Sequence, residues 1–304
     1  MLKIENIHKK KIVINNMIIE KNKNSLIKTI KKIRKKINFV PTMGNLHEGH
    51  LNLIKSAIKQ EHFSLVSIFV NKLQFNSEQD FKKYPRTINN DLKLLQKIGV
   101  DLVFLPHDDF ISKNSFEFEF DNLNNMLCGI DRPGHFEGVV TVMYNFLDLI
   151  RPDFLTLGEK DFQQTLIVKK LIKDHSFHTK VIINETIRDE NGLALSSRNK
   201  LLSSVQKKKS SYIFKTLIEI ERKILGGCFK KTDLQSFKKK ILKIGFDKIV
   251  YLQILKEKNL EEVDAFPSKS RIFISVVVKD EVRLIDNVSI PGNLAIIEGK
   301  FIVV

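Results

Sequence analysis

The sequence predicts an α/β protein in which a doubly wound parallel sheet precedes a smaller α+β unit. Three observations carry this reading. Short apolar runs of strand length alternate with helix-spaced segments through the first 184 residues, the pattern of parallel strands joined by helical crossovers. From Arg188 onward the order changes to two Lys-rich helical stretches (about 203–225 and 231–242), then strand-like runs near 248–254, 271–278 and 281–286. The chain of 304 residues also exceeds the size of most single hydrophobic cores. The boundary is expected near residue 185, giving domains 1–184 and 185–304.

Each element rests on its own pattern. Ser25–Lys36 has apolar residues at 26, 27, 30 and 33, which predicts a helix with Ser25 as its cap. Ile37–Pro41 is a strand, and Leu51, Ile54, Ala57 and Ile58 mark the inner face of the next helix. Phe63–Val70 is a strand ending at Asn71, followed by a polar loop through Gln74 to Tyr84-Pro85-Arg86-Thr87. Asp91–Ile98 is helical, and Val100–Leu105 is a strand closed by Pro106. Phe116–Phe120 alternates strictly, predicting an edge strand. Val139–Ile150 is a buried helix stopped before Pro152. Asp153–Gly158 is a strand that runs directly into Glu159-Lys160-Asp161 and another helix, and His178–Asn184 closes the series.

Composition narrows the functional classes. Hydrophobic residues make up 42% of the chain, an ordinary value for a globular protein, and no apolar run approaches the roughly 20 residues of a membrane span. Lys9-Lys10-Lys11 precedes a short apolar run broken by Asn15-Asn16, which lacks the shape of an export signal. Cys128 and Cys228 form no metal-spaced cluster and are expected to be reduced thiols of a cytoplasmic protein. The net charge is +16, yet only nine of the 51 basic residues are arginine and tryptophan is absent. Runs such as Lys207-Lys208-Lys209 and Lys238-Lys239-Lys240 lie in helical patterns and read as solvated faces. A nucleic-acid surface would favour arginine interleaved with aromatics, so no specific nucleic-acid partner is expected.

The chemistry centres on Phe39-Val40-Pro41-Thr42-Met43-Gly44-Asn45-Leu46-His47-Glu48-Gly49-His50-Leu51. It reads as a strand, a glycine turn and a helix start. Unpaired amides in a first helical turn favour anions, and His47 and His50 add two donors three residues apart. A zincin helix would place its histidines at i and i+4, so the spacing argues for phosphate over zinc. Three further loops follow predicted strands: Asn71–Gln74, Gly158–Gln164 and Arg188–Arg198. The carboxyl ends of parallel strands are where such sheets bind ligands. Lys160 and Arg198 suit phosphate, Ser196 and Ser197 add hydroxyls, and Gln74, Gln163 and Gln164 offer neutral amides. In isolation Gly158–Asp161 is an ordinary helix start and Ser196-Ser197-Arg198 a polar loop; their shared phase with one sheet edge makes them candidates.

Six motifs in order carry a family resemblance: Pro41–His50; Ser67-Ile68-Phe69-Val70-Asn71 with Gln74-Phe75; Tyr84-Pro85-Arg86-Thr87; Pro133-Gly134-His135-Phe136; Gly158–Gln164; and Gly192–Asn199. Through them the chain resembles the pantothenate synthetase (pantoate–β-alanine ligase) family, less closely after residue 205, although Arg283-Leu284-Ile285-Asp286-Asn287 also fits. The resemblance implies a Rossmann-type catalytic domain with a C-terminal lid, in a cytoplasmic homodimer. It implies a ligase that joins pantoate to β-alanine with ATP and Mg²⁺ through a pantoyl adenylate. By the same motifs, Met43, Gly44, Asn45, Leu46, His47, Glu48, Gly49 and His50 would bind ATP. Gly158, Glu159, Lys160, Asp161, Ile187, Leu195, Ser196, Ser197 and Arg198 would complete the nucleotide site. His50, His47, Lys160 and Arg198 would be catalytic, Gln74 and Gln164 would hold pantoate, and Gln74 also β-alanine. The metal ligands are not implied; Asp91 is a candidate for Mg²⁺.

Two positions depart from the family. Relatives commonly read Asn-Pro-Met-Gln-Phe where this chain has Asn71-Lys72-Leu73-Gln74-Phe75, a change expected to loosen the loop that carries Gln74. Glu137 stands where many relatives have a basic or small residue. A nucleotidyltransferase or a class I aminoacyl-tRNA synthetase is the competing enzyme class, disfavoured by the Gln74/Gln164 pair and the lack of an anticodon-binding module.

Overall fold

The computed structural model describes residues 12–14, 16–111, 117–263, 269–279, 282–291, 294–297 and 300–303. They fall into two compact units. The first comprises residues up to Glu119, Gly134–Leu157 and Ile167–Asn184; the second comprises Phe120–Pro133, Gly158–Leu166 and the residues from Glu185.

In chain order the elements up to residue 184 are β1 (Ile12–Ile14), β2 (Met17–Glu20), α1 (Lys23–Ile30), β3 (Ile37–Thr42), α2 (Glu48–Lys59), β4 (Phe63–Ile68), α3 (Glu78–Lys83), α4 (Ile88–Ile98), β5 (Leu102–Phe104), α5 (Cys128–Asp131), α6 (His135–Ile150), β6 (Phe154–Gly158), α7 (Phe162–Asp174) and β7 (Lys180–Asn184). The sheet order is β1-β2-β5-β4-β3-β6-β7. β2 pairs parallel with β5, β5 with β4, β4 with β3 and β3 with β6, while β1 is an antiparallel edge. The doubly wound sheet is therefore as expected. Successive strands step outward from β3 through β4 to β5, then return to β3's other side at β6, so the winding reverses between β3 and β6.

Strands buried on both faces read as continuous apolar runs, and Leu102-Val103-Phe104 is fully buried in this way. Alternation along β3 sends Val40 into one core with Met17, Ile54 and Leu95, and Phe39 to the other face against Phe146, 5.2 Å between ring centroids. Two local expectations fail. The first helix starts at Lys23, because Asn22 accepts the amides of Asn24 and Ser25. Ser25 is not its cap; its hydroxyl donates to the buried Glu20 at 2.5 Å. Residues 117–120 form no ladder, although Phe118 and Phe120 are half-buried and Glu117 and Glu119 exposed. Phe118 lies beneath the Lys170 ammonium of α7, 5.8 Å away, so a helix side chain and not a neighbouring strand meets that ring. Phe116 lies outside the described residues.

In the second unit, α8 (Ser204–Ser210), α9 (Tyr212–Leu225) and α10 (Asp233–Ile244) precede β8 (Lys248–Lys256), β9 (Ser270–Val278) and β10 (Val282–Ile290), an antiparallel sheet of order β10-β9-β8. A hairpin of β11 (Leu294–Ile297) and β12 (Lys300–Val303) follows, which the sequence pattern did not reveal. The single helix expected over 203–225 is divided at Ser211, whose hydroxyl donates to the Lys208 carbonyl. Leu217, Ile220 and Ile241 pack against Ile272, Ile274 and Val276, which closes the helices onto the sheet.

Candidate active site

The loop after β3 leaves the sheet beside the winding reversal, where open α/β sheets form their ligand crevice. Its backbone turns through Gly44 (φ 76°) and Asn45 (φ 49°), both left-handed. A Cβ on Gly44 would stand 3.0 Å from the Ile68 methyl and 3.1 Å from an Asp91 oxygen, so the turn is also sterically closed. Asp91, 1% exposed, accepts the amides of Asn45 and Leu46, each at 2.9 Å, and the Thr87 hydroxyl at 3.1 Å. Both its oxygens are thus engaged by the loop, which replaces its expected candidacy for Mg²⁺ with a supporting role. Gly44, Asn45 and Leu46 are buried, whereas Met43, His47, Gly49 and His50 are half-buried and Glu48 exposed.

The histidine pair occupies the helix start as a reciprocal cap. His47 is the cap residue of α2 and its Nδ1 accepts the Gly49 amide at 3.2 Å; Nδ1 of His50 accepts the His47 amide at 3.4 Å. The spacing of three is the spacing of a capping box. The rings lie 4.0 Å apart between centroids. Because each Nδ1 is an acceptor, each neutral ring carries its proton on Nε2, which makes that atom a hydrogen-bond donor.

Gln74 lies in the same unit, after β4, whose Ile68 is in register with Thr42 of β3. Residues 72–74 form one 3-10 turn capped by Asn71, which accepts the Leu73 amide. Three contacts with the start of α6 hold this turn. Asn71 Nδ2 donates to the Gly138 carbonyl at 2.9 Å, and His135 Nδ1 lies 2.9 Å from the Gln74 carbonyl. A Cβ at Gly138 would fall 2.4 Å from the Leu73 carbonyl oxygen, so only glycine permits this approach. The His135–Gly138 segment therefore serves as a seat for Gln74. Glu137 sits exposed in the first turn of α6, where a negative charge complements the helix dipole.

This geometry makes the Lys72 departure testable. Asn71 is extended (φ −76°, ψ 109°), the conformation that a following proline demands, and Lys72 is the first residue of its turn. Lys72→Pro is expected to add about 0.4–1 kcal/mol of stability by restricting the unfolded chain. Thermal melts check this; a lowered Tm would show that residue 72 needs a φ closed to proline.

The second unit holds the other candidates. Residues 159–161 form a 3-10 turn after Gly158, with Glu159 and Lys160 half-buried and Asp161 exposed. Gln163, expected as a substrate-facing amide, is instead buried. Its Oε1 accepts the Cys128 amide at 3.0 Å, and its Nε2 donates to the carbonyls of Leu123 and Met126 at 2.6 and 2.8 Å. Gln164 is half-buried. The loop from Ile187 is closed by the Leu195 amide donating to the Ile187 carbonyl at 2.9 Å, with Gly192 (φ 94°) at its tip. Ser196 caps the turn that contains Ser197 and Arg198, accepting the Arg198 amide at 3.3 Å.

Beneath these loops lie residues to which the sequence assigns no role. Arg188 donates to Asp286 at 2.9 Å and to the Gly192 carbonyl at 3.2 Å, and its guanidinium stands 3.7 Å from the Phe214 ring centroid. Burial pushes the Asp286 carboxyl above its ordinary range, while Arg188 pulls it back. Asn287 holds the 159–160 backbone through both carbonyls, and Arg271 donates to the Glu159 carboxylate at 2.8 Å. The motif Arg283–Asn287 was the one sequence signal for this region.

Together the fold and the loop after β3 define a doubly wound α/β protein whose histidine-bearing loop stands at the switch point of its sheet, the position where such sheets bind ligands. A family model described as pantoate-beta-alanine ligase matches residues 17–289. The chain belongs to the pantoate–β-alanine ligase family. It is 41% identical over 276 residues to a pantothenate synthetase of Buchnera aphidicola, covering 88% of this chain and 95% of that one. With that of Acetivibrio thermocellus it shares 37% over 271 residues, 87% and 95% of the two chains. Among solved structures it resembles pantothenate synthetase from Thermus thermophilus, with TM-score 0.82, 33% identity, and 89% and 98% coverage. It also resembles the Francisella tularensis pantoate-beta-alanine ligase complexed with beta-gamma ATP and beta-alanine, with TM-score 0.75, 36% identity, and 90% and 97% coverage.

Proposed function

We propose that this chain is an ATP-dependent ligase that condenses pantoate with β-alanine to pantothenate. The observation that carries the reading is family membership across residues 17–289, which include all the loops described above. In the reaction a pantoate carboxylate oxygen attacks the α-phosphorus of ATP and the bond to pyrophosphate breaks. The β-alanine amine then attacks the acyl carbon of the adenylate, AMP leaves, and the amine gives up a proton.

In the first unit His47 and His50 donate Nε2–H to phosphate, supported by the capping bonds that fix both rings. Met43–His50 bind ATP, and Gln74 orients pantoate and β-alanine through a neutral amide. In the second unit Lys160 and Arg198 stabilise phosphate charge as it develops, and Gln164 binds pantoate. Gly158, Glu159, Asp161, Ile187, Leu195, Ser196 and Ser197 bind the nucleotide. Mg²⁺ enters with ATP; such ions take one or two carboxylates plus phosphate oxygens, so the protein need not supply a cage of its own. We place residues 1–184 in a catalytic domain and 185–304 in a second domain, with residues 120–133 and 158–166 grouped with the second compact unit. A cytoplasmic homodimer belongs to the same proposal, on the strength of the family alone. Among the described residues no helix is long and apolar enough to cross a membrane.

Isotope exchange between pyrophosphate and ATP tests the reaction. It is expected with pantoate alone and not with β-alanine alone. Exchange that strictly requires β-alanine would overturn the separate adenylation step. Exchange supported by an amino acid or by CTP would transfer the protein to the synthetase or nucleotidyltransferase class.

A further inference from the structure

Two adjacent residues of β10 grip the two loops that bear Lys160 and Arg198. Asn287 uses its whole side-chain amide. Nδ2 donates to the carbonyls of Lys160 and Glu159 at 2.9 and 3.2 Å, and Oδ1 accepts from Arg271. Arg271 in turn donates to the Glu159 carboxylate at 2.8 Å and to Glu257 at 3.0 Å, with its guanidinium 4.1 Å from the Phe162 ring centroid. Asp286 holds Arg188 and accepts the Asn287 amide at 2.8 Å. Both residues and Arg271 are buried, at 4%, 5% and 4% exposure. The 3-10 turns at 159–161 and 197–201 both pack on β10.

We propose that Asn287, with Asp286 beside it, is a positioning residue for the reaction: it sets the backbone of Lys160 while its neighbour anchors the loop that leads to Arg198. The chemistry of residue 287 is specific. Two donors must meet two carbonyls while an oxygen meets a guanidinium. Aspartate would turn an oxygen toward those carbonyls, and serine falls short of them. A charge stabiliser works through its placement, and a misplacement of about 1 Å can cost about 100-fold in rate. Asn287 touches no reacting atom in this scheme; it acts through Lys160. The inference rests on the role proposed for Lys160.

The test compares pantoate-dependent pyrophosphate–ATP exchange in the wild-type protein, Lys160→Ala, Asn287→Asp and the double variant, each expressed per folded active site. Asn287→Asp is expected to lower kcat by about 10- to 100-fold with KM for pantoate nearly unchanged. In the Lys160→Ala background the same change should cost almost nothing, because residues that act as one unit are not additive. Asn287→Ser makes the same comparison without an added charge, should Asn287→Asp not fold. Normal kcat per folded site in both Asn287 variants would overturn the inference alone, as would effects that multiply fully in the double variant. A Lys160→Ala protein of normal activity would overturn the reading on which it rests.

Discussion

Lys160→Ala and Arg198→Ala are each expected to lower kcat/KM for pantothenate formation by at least about 100-fold, the loss that follows removal of one preorganised donor. Both are long cations on short 3-10 turns whose backbones are tied down, Lys160 through Asn287 and Arg198 through Ser196. Such groups need little reorganisation as charge grows on a phosphate. Steady-state kinetics of the purified, folded variants checks this, and near-normal turnover of both would remove them from the mechanism. Lys160→Arg should recover little, since a planar fork does not replace a compact ammonium.

A large loss of stability is expected from a change in the support of the loop after β3. Asp91→Ala removes the acceptor from two buried amides, those of Asn45 and Leu46, and from the Thr87 hydroxyl. Each stranded amide costs roughly 1–3 kcal/mol, while the half-buried Thr87 hydroxyl can turn to water. The loop would have to rearrange around Gly44, carrying His47 and His50 with it. Chemical denaturation should therefore show a fall in stability of roughly 2–6 kcal/mol. A variant of unchanged stability would show that other groups satisfy those amides.

The pattern of strands and helices was legible because it follows from periodicity, which is local. The strand–turn–helix at 39–51 could be read residue by residue, as could the turn at Gly192. What escaped the sequence are partners distant in the chain. Asp91 reads as a candidate for Mg²⁺ in the sequence, and the fold brings it to the amides of Asn45 and Leu46. Gln163 looked like a substrate amide until it met Leu123, Met126 and Cys128. Asn287 lies over 120 positions from the carbonyls it holds. The alternation at 117–120 did report a half-buried face, but alternation says only that something covers it. The structure supplies Lys170 of α7 over Phe118.

The seat of Gln74 bears on how this enzyme can vary under selection by an inhibitor. Lys72 and Leu73 face solvent, and α6 meets the turn at main-chain atoms: the Leu73 carbonyl opposite Gly138 and the Gln74 carbonyl beside His135. Side chains at 72 and 73 can drift at little cost. The path of the backbone cannot drift, because every substitution of Gly138 inserts a carbon where the carbonyl already lies. A compound anchored to the main chain of residues 73–74 would press on a contour that single substitutions cannot redraw, leaving few routes to resistance that keep Gln74 in place.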